Sequence, residues 1–392
     1  MAATIKALTG NKSAAIGAAL CKPDLIAAYP ITPQSSVVET LAAMISNGEI
    51  DSKMIQVESE HSAMGVVQGA AMAGARTFTA TSAQGLALMF EPYFRQSTLR
   101  LPMVMALATR EMTSPETVFS GQQDAMSVRE AGWMQVFCEN NQEILDMIIQ
   151  GYRIAEHEDV LLPINVCYDG FYLSHLDERV EIPEQEKVTN FVKKFNLTHL
   201  ALDPKNPMSV DPMTSGPLFM KFRASHLKAM QDAIKVIDEI DKEFEKEFGR
   251  SYGGVIDTYL CDDAENILIT IGSPTGTARE AIDIARANGK KVGLLKVRFM
   301  RPFPSDQIRK VLKDKKGFAV IDRSVSFGMN AGPLYVEVKS AVSDLRLETS
   351  NFSAIGGLGG ADITLQHVLD CIDRLDNVSK NPVGQCETIW LD

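Results

Sequence analysis

The sequence has 392 residues, more than one core usually fills, so two domains are expected. Charged residues at 23% and hydrophobic ones at 45% describe an ordinary globular chain. A net charge of −11, with no basic stretch interleaved with aromatics, argues against a nucleic-acid partner. No apolar run approaches the length of a membrane span and no basic-then-apolar signal pattern opens the chain, so a cytoplasmic location is expected.

Residues 1–175 read as alternating strands and helices. Apolar runs of strand length lie at Leu25–Tyr29, Met54–Val57, Thr77–Ala80, Met103–Ala108, Met134–Phe137 and Pro163–Tyr168. Helical segments at His61–Ala73, Leu86–Leu99 and Gln142–His157 separate them, which predicts a doubly wound parallel sheet with helices on both faces. The first run ends in Tyr29-Pro30-Ile31-Thr32-Pro33-Gln34. Two prolines stiffen the turn around the Thr32 hydroxyl, at the carboxyl end of a strand, where open α/β sheets bind ligands. Ser35 or Ser36 is expected to cap the helix that follows. The helix from His61 is dense in Gly and Ala, which suits close packing or close approach to a cofactor.

From His175 to about Tyr252 the character changes. Glu181–Lys194 is charged and Asp203–Pro217 lacks periodicity, so a linker arm is expected over about 176–227. An amphipathic helix follows over Lys228–Arg250, with Met230, Ile234, Ile237, Ile240, Phe244 and Phe248 on one face. A second, smaller α/β unit is expected over 253–392. Its strands are read at Ile267–Ile271, Lys291–Val297, Gly317–Ile321 and Asn351–Ala354. Gly272-Ser273-Pro274-Thr275-Gly276 opens a helix and reads as a tight turn or an anion-binding one. Gly356-Gly357-Leu358-Gly359-Gly360 lines a ligand or lets backbones pass.

Three strand ends besides Thr32 carry candidate chemistry. Glu58-Ser59-Glu60-His61 supplies either an acid for the crevice or a helix cap. Ser82-Ala83-Gln84-Gly85 is small and polar. Arg110 suits a carboxylate or phosphate, or else pairs with Glu111 or Glu116. The six cysteines, Cys21, Cys138, Cys167, Cys261, Cys371 and Cys386, form no C-x-x-C pair, so no metal or cluster ligand run is expected in this chain. Nucleophile-elbow, zinc-protease, Rossmann and Walker A motifs are absent. Tyr168-Asp169-Gly170 with Asn196 only approximates a diphosphate–metal motif and is read as a decoy.

Several blocks carry a family signature: Ala28-Tyr29-Pro30-Ile31-Thr32-Pro33-Gln34, Val57-Glu58-Ser59-Glu60-His61-Ser62-Ala63, Gly74–Leu86, Gln123-Asp124 and Asp169-Gly170-Phe171. In that order they resemble the α subunit of the pyruvate:ferredoxin oxidoreductase (pyruvate synthase) family of 2-oxoacid:ferredoxin oxidoreductases. The resemblance implies a pyrimidine-type thiamine-diphosphate domain over 1–252 and a transketolase C-terminal-like domain over 253–392. It implies thiamine diphosphate shared with a β subunit that carries the diphosphate and Mg2+ site. It also implies γ- and δ-type, ferredoxin-like subunits with 4Fe–4S clusters, a ferredoxin or other electron acceptor, and coenzyme A as co-substrate.

Residue by residue, Glu60 matches the acid that hydrogen-bonds the aminopyrimidine, with Glu58 as the fallback. Thr32 matches the hydroxyl near the reacting carbon, and Arg110 the arginine that binds the 2-oxo acid carboxylate. Tyr29, Pro30, Ile31, Ser82 and Gln84 fall at the cofactor and Gln123 at the substrate. Pyruvate members commonly carry Asp-His-Gln-Asp where this chain reads Gly121-Gln122-Gln123-Asp124, and Glu111–Phe119 departs from the pyruvate pattern too. The resemblance implies CoA-dependent oxidative decarboxylation of a 2-oxo acid, pyruvate first, and these departures open a second choice. An aryl or branched acid such as phenylglyoxylate is the alternative substrate. A cluster-free enzyme of the same cofactor and a non-catalytic scaffold subunit are the competing classes.

Overall fold

Strands of four to six residues, apolar throughout their centres, need cover on both faces, and the chain supplies it by alternating them with helices. The structure, a computed structural model, describes residues 4–200, 202–345, 350–380 and 388–392; Cys386 lies outside them. The first unit opens with β1 (Thr4–Leu8), α1 (Gly10–Leu20), β2 (Leu25–Ala28), α2 (Ser35–Ser46), β3 (Lys53–Gln56) and α3 (Glu60–Met72). It continues with β4 (Thr77–Thr81), α4 (Ala83–Leu88), α5 (Phe90–Thr98), β5 (Val104–Thr109) and α6 (Gln123–Ser127). Then come β6 (Met134–Phe137), α7 (Asn141–Ala155), β7 (Ile164–Asp169), β8 (Glu178–Ile182), α8 (Gln185–Val192) and α9 (Gly216–Phe248).

The second unit contains β9 (Ile256–Tyr259), β10 (Asn266–Thr270), α10 (Pro274–Ala287), β11 (Val292–Val297), β12 (Phe299–Arg301) and α11 (Ser305–Leu312). It ends with β13 (Gly317–Asp322), α12 (Pro333–Ala341), β14 (Ser350–Gly356), α13 (Leu365–Lys380) and β15 (Thr388–Leu391). One sheet has the order β12-β6-β7-β5-β4-β2-β3 and the other β15-β14-β13-β10-β11-β9. Both are parallel except for the edge strands β12 and β9, which run antiparallel to their neighbours.

Four differences from the sequence reading have physical causes. The helix expected over Leu86–Leu99 is two helices meeting at Met89, because Pro92 has no N–H to offer the carbonyl of Leu88. The charged stretch after His175 is partly regular: β8 pairs antiparallel with β1, and α8 follows. Helix α9 begins at Gly216, ahead of Pro217, and not at Lys228. Its first turns present Phe219, Met220 and Phe222 to the outside, so no buried period marks them. Finally, β12 lies beyond Gly253 yet pairs with β6 of the first sheet.

One apolar core fills the α1, α2, α7 and α9 side of the first sheet. A second core joins Met105, Leu107 and Cys167 of that sheet to Ile267, Ile269 and Val320 of the other, so the two units share an interior. The five described cysteines are all buried. No helix among the described residues is long and apolar enough to cross a membrane.

The seam also holds charge. Glu143 of α7 accepts from Lys296 Nζ at 2.7 Å and Arg298 Nε at 2.9 Å, all three being buried. Burial raises the Glu143 carboxyl, but the Lys296 and Arg298 charges outweigh it and hold the group at about 2. Its stabilisation is therefore complete above the ordinary carboxylate range near 4.3 and is lost as pH falls from there towards 2. Glu143→Gln should cost about 3–5 kcal/mol in denaturant unfolding at pH 7, because buried Arg298 loses its anion and Lys296 keeps only Glu139. The variant should also lose that acid-side dependence. An unfolding midpoint unchanged at pH 7 would contradict this account.

Candidate active site

The turn after β2 is held from below. Asn11 Nδ2 donates to the Pro33 carbonyl at 2.6 Å and to Ser36 Oγ at 2.8 Å, and Tyr168 Oη donates to Asn11 Oδ1 at 2.8 Å. Gln34 Nε2 donates to the Tyr29 carbonyl at 2.9 Å, closing the loop on itself. Neither Ser35 nor Ser36 caps α2. Gln34 occupies the N-cap in helical conformation and its side chain makes no capping bond; Ser35 and Ser36 lie inside the first turn, where Ser36 is engaged by Asn11. Tyr29, Pro30 and Thr32 are exposed and Ile31 is half-buried, so the turn presents a face to whatever docks on it.

Ser59 caps α3 by accepting from the Ser62 N–H at 3.2 Å, and that leaves Glu60 in the first turn, at the positive end of the helix. Glu60 is 6% exposed, and its carboxylate takes no hydrogen bond from the described residues. It lies against Gly85 of α4, where an added Cβ would come within 2.7 Å of Glu60 Oε1 and 2.5 Å of Thr81 Oγ1. Thr81 Oγ1 is itself buried without a partner. Glu58, by contrast, is exposed and accepts from Ser62 Oγ at 2.6 Å, a bond that holds its carboxyl below the usual range.

Arg110, buried at the end of β5, joins three loops. Nη1 donates to the Thr32 carbonyl at 2.7 Å, while Nη2 donates to Gln84 Oε1 at 2.9 Å and Glu116 Oε1 at 3.0 Å. Its Nε is buried and unpartnered. Of the two acids weighed for it, Glu116 is the one it meets, and that side chain is 63% exposed. Ser82 is fully buried and donates to the Ala108 carbonyl at 2.7 Å, so its hydroxyl ties β4 to β5. Gln123 is half-buried and accepts from the Met112 N–H at 3.1 Å, which pins the loop that follows Arg110.

Two residues that sequence reasoning passed over hold this arrangement. The Asp124 carboxylate is fully buried and accepts from the N–H groups of Ala83 (2.9 Å), Arg110 (3.1 Å) and Ala125 (2.7 Å). Burial pushes it up to about 7 against those donors. Asn11 is the other. Each is a polar residue 0% exposed, Asn11 in an Ala-rich helix and Asp124 within the Gln123-Asp124 block, and a polar residue in such a setting was the available signal. Asp169, read as a decoy metal ligand, pairs with Arg323 at 2.7 Å across the seam, and Asn196 is exposed.

The residues present fit the pyrimidine end of thiamine diphosphate. An acid with no hydrogen-bond partner among the described residues fits against a glycine whose missing Cβ makes room for it, near the carboxyl ends of β2, β4 and β5.

Residues 16–242 match the thiamine-diphosphate-binding domain of pyruvate flavodoxin/ferredoxin oxidoreductase, and residues 264–368 match core domain II of pyruvate:ferredoxin oxidoreductase. The chain is 47% identical to the α subunit of NADH-dependent phenylglyoxylate dehydrogenase from Aromatoleum evansii, over 98% of this chain and 94% of that one. It is 43% identical to pyruvate synthase subunit PorA from Methanocaldococcus jannaschii, over 99% and 97% of the two chains. In fold it is similar to a 2-oxoglutarate:ferredoxin oxidoreductase from Magnetococcus marinus at TM-score 0.72 and 20% identity, covering 94% of this chain and 65% of that one. A split-gene transketolase follows at TM-score 0.55 and 10% identity, over 95% of this chain and all of the other. The chain belongs to the pyruvate flavodoxin/ferredoxin oxidoreductase family.

Proposed function

We propose that this chain is the α subunit of a CoA-acylating 2-oxoacid oxidoreductase and furnishes the pyrimidine and carboxylate sides of a shared thiamine-diphosphate site. The observation that carries the proposal is that Arg110 grips Thr32 and Gln84 while Glu60 lies against the adjoining Gly85, its carboxylate without a donor among the described residues. Bound thiamine diphosphate supplies the electron sink that decarboxylation of a 2-oxo acid needs. Glu60 would hydrogen-bond the pyrimidine through its carboxylate and take part in its proton transfer, and Tyr29, Pro30, Ile31 and Gln84 would line the wall beside it. Ser82 acts from behind by fixing the head of α4. The diphosphate, Mg2+ and iron–sulfur clusters are assigned to β-, γ- and δ-type partners, and coenzyme A takes the acyl group.

Arg110 binds the substrate carboxylate by exchange. Glu116 is mostly exposed and already presents a carboxylate to Nη2, so an incoming 2-oxo acid can take that place without leaving a buried cation unpaired. Thr32, whose carbonyl Arg110 holds, stands beside the reacting carbon, and Gln123 keeps the adjoining loop in register. Pyruvate and phenylglyoxylate are the two substrates to test first. Relatives named for each align with nearly the whole chain, and the Glu111–Asp124 stretch departs from the pyruvate pattern.

The test is CoA-dependent reduction of a dye by the complete complex across a panel of 2-oxo acids. Glu60→Gln should lower kcat about a hundred- to ten-thousand-fold, as expected for loss of a positioned proton-transfer group. Turnover that survives the change would instead support a scaffold role. Gly85→Ala should lower kcat about a hundred-fold by displacing Glu60, while costing only about 1–3 kcal/mol of stability. Unaltered kinetics in that variant would show that Glu60 does not need its present position.

A further inference from the structure

The glycine turn Gly356–Gly360 has no part in the chemistry above, yet it touches the loop that leads away from Arg110. Ser120 forms a β-bridge with Arg110, so Phe119 stands one residue from the substrate-binding arginine's backbone partner. The Gly360 N–H donates to the Ser120 carbonyl at 2.8 Å, from the second unit to the first. Gly360 has φ +81°, and a Cβ there would come within 2.5 Å of the Phe119 Cβ. Gly357, at φ +73°, is similarly closed by Arg323 Nε at 2.6 Å, and Arg323 Nη2 donates to its carbonyl at 3.1 Å. At position 360 only glycine fits under Phe119.

The Phe119 ring is 50% exposed and lies 5.0 Å from the Phe171 ring, which stacks on His175 at 4.6 Å. The Phe171 backbone starts at the turn side of the crevice. The preceding Gly170 donates to the Thr109 carbonyl at 2.9 Å, and a Cβ on it would meet Pro33 at 2.9 Å. Phe171 thus follows a glycine packed on the turn that carries Thr32, and Phe119 precedes the residue bridged to Arg110.

We propose that Phe119 and Phe171 form the wall that receives the side chain of the 2-oxo acid, that this wall suits bulky apolar or aryl groups, and that Gly360 of the C-terminal domain sets where Phe119 stands. The inference rests on the proposed function and adds to it a specificity surface governed from the second domain. The half-exposed Phe119 ring, with the partly buried Phe171 beside it, gives an arene offset or edge contacts that a methyl group cannot use. Such contacts separate substrates through kcat/KM and leave the chemical step alone.

The experiment compares kcat/KM of the complete complex for phenylglyoxylate, 2-oxoisovalerate and pyruvate in wild type, Phe119→Ala, Phe119→Leu, Phe119→Tyr and Gly360→Ala. Phe119→Ala should lower the ratio of phenylglyoxylate to pyruvate about tenfold or more, with kcat for pyruvate nearly unchanged. Phe119→Tyr should restore the ratio. Phe119→Leu keeps the apolar packing on Gly360, so it should fold where the alanine variant does not and show the same loss. Gly360→Ala should move the ratio the same way through a residue outside the crevice. Equal losses for all acids, a ratio that stays fixed, or a gain for the aryl acid would overturn the inference. So would a wild-type complex that uses pyruvate and no bulkier acid, and the proposed function would then still stand. A wild-type complex that oxidises no 2-oxo acid would overturn both.

Discussion

One buried carboxylate keeps the candidate site in register. Asp124 accepts the N–H of Ala83 at the head of α4, the N–H of Arg110 at the end of β5, and that of Ala125 in its own helix. Ala83 sits at φ +41°, a conformation a non-glycine residue keeps only where its surroundings demand it. Gln84 and Gly85 follow directly, so the carboxylate that fixes Arg110 also fixes the side chain that Arg110 grips and the gap that admits Glu60. Buried networks of this kind act as a unit, since each member sets the geometry of the next. Arg110 then extends the same chain of bonds to Thr32, and Asn11 meets that turn from the far side through Pro33.

The second unit is more than an attachment. It shares an apolar core with the first sheet, lends it the edge strand β12, and neutralises Glu143 with two buried cations. Arg323 reaches Asp169 at the carboxyl end of β7, and Ser273 meets the same carboxylate. Beside this seam the Glu111 carboxyl lies against Gly121, where a Cβ would be 2.0 Å from Oε1, and burial followed by the Asp124 charge pushes it up to about 7. A side chain at position 121 would force the Glu111 side chain to move, which gives the departure at Gly121-Gln122 a structural meaning.

Local patterns revealed much of this arrangement. Apolar runs bounded by turns marked the central strands of both sheets, and the prolines around Thr32 marked a shaped turn at a strand end. Glu60 and Arg110 stood out because charged residues directly follow apolar strands. What local reading missed depends on partners distant in the chain. Asn11 and Asp124 look unremarkable until Pro33, Tyr168 and Ala83 are brought to them. Strand β12 is three residues long and draws its pairing from β6, far earlier in the sequence. The start of α9 carried no periodic signal because its first turns bury little. Ser36 was a reasonable cap by type, but Asn11 claims it.

The central claim is that this chain supplies only the proton-holding and carboxylate-binding sides of a thiamine site completed by a partner. It is tested most directly by a structure of the assembled complex with thiamine diphosphate and a 2-oxo acid bound. The account predicts the Glu60 carboxylate hydrogen-bonded to the pyrimidine ring, and the substrate carboxylate on Arg110 in the place Glu116 now holds. A cofactor whose pyrimidine is held wholly by other chains, with Glu60 away from any subunit boundary, would contradict it.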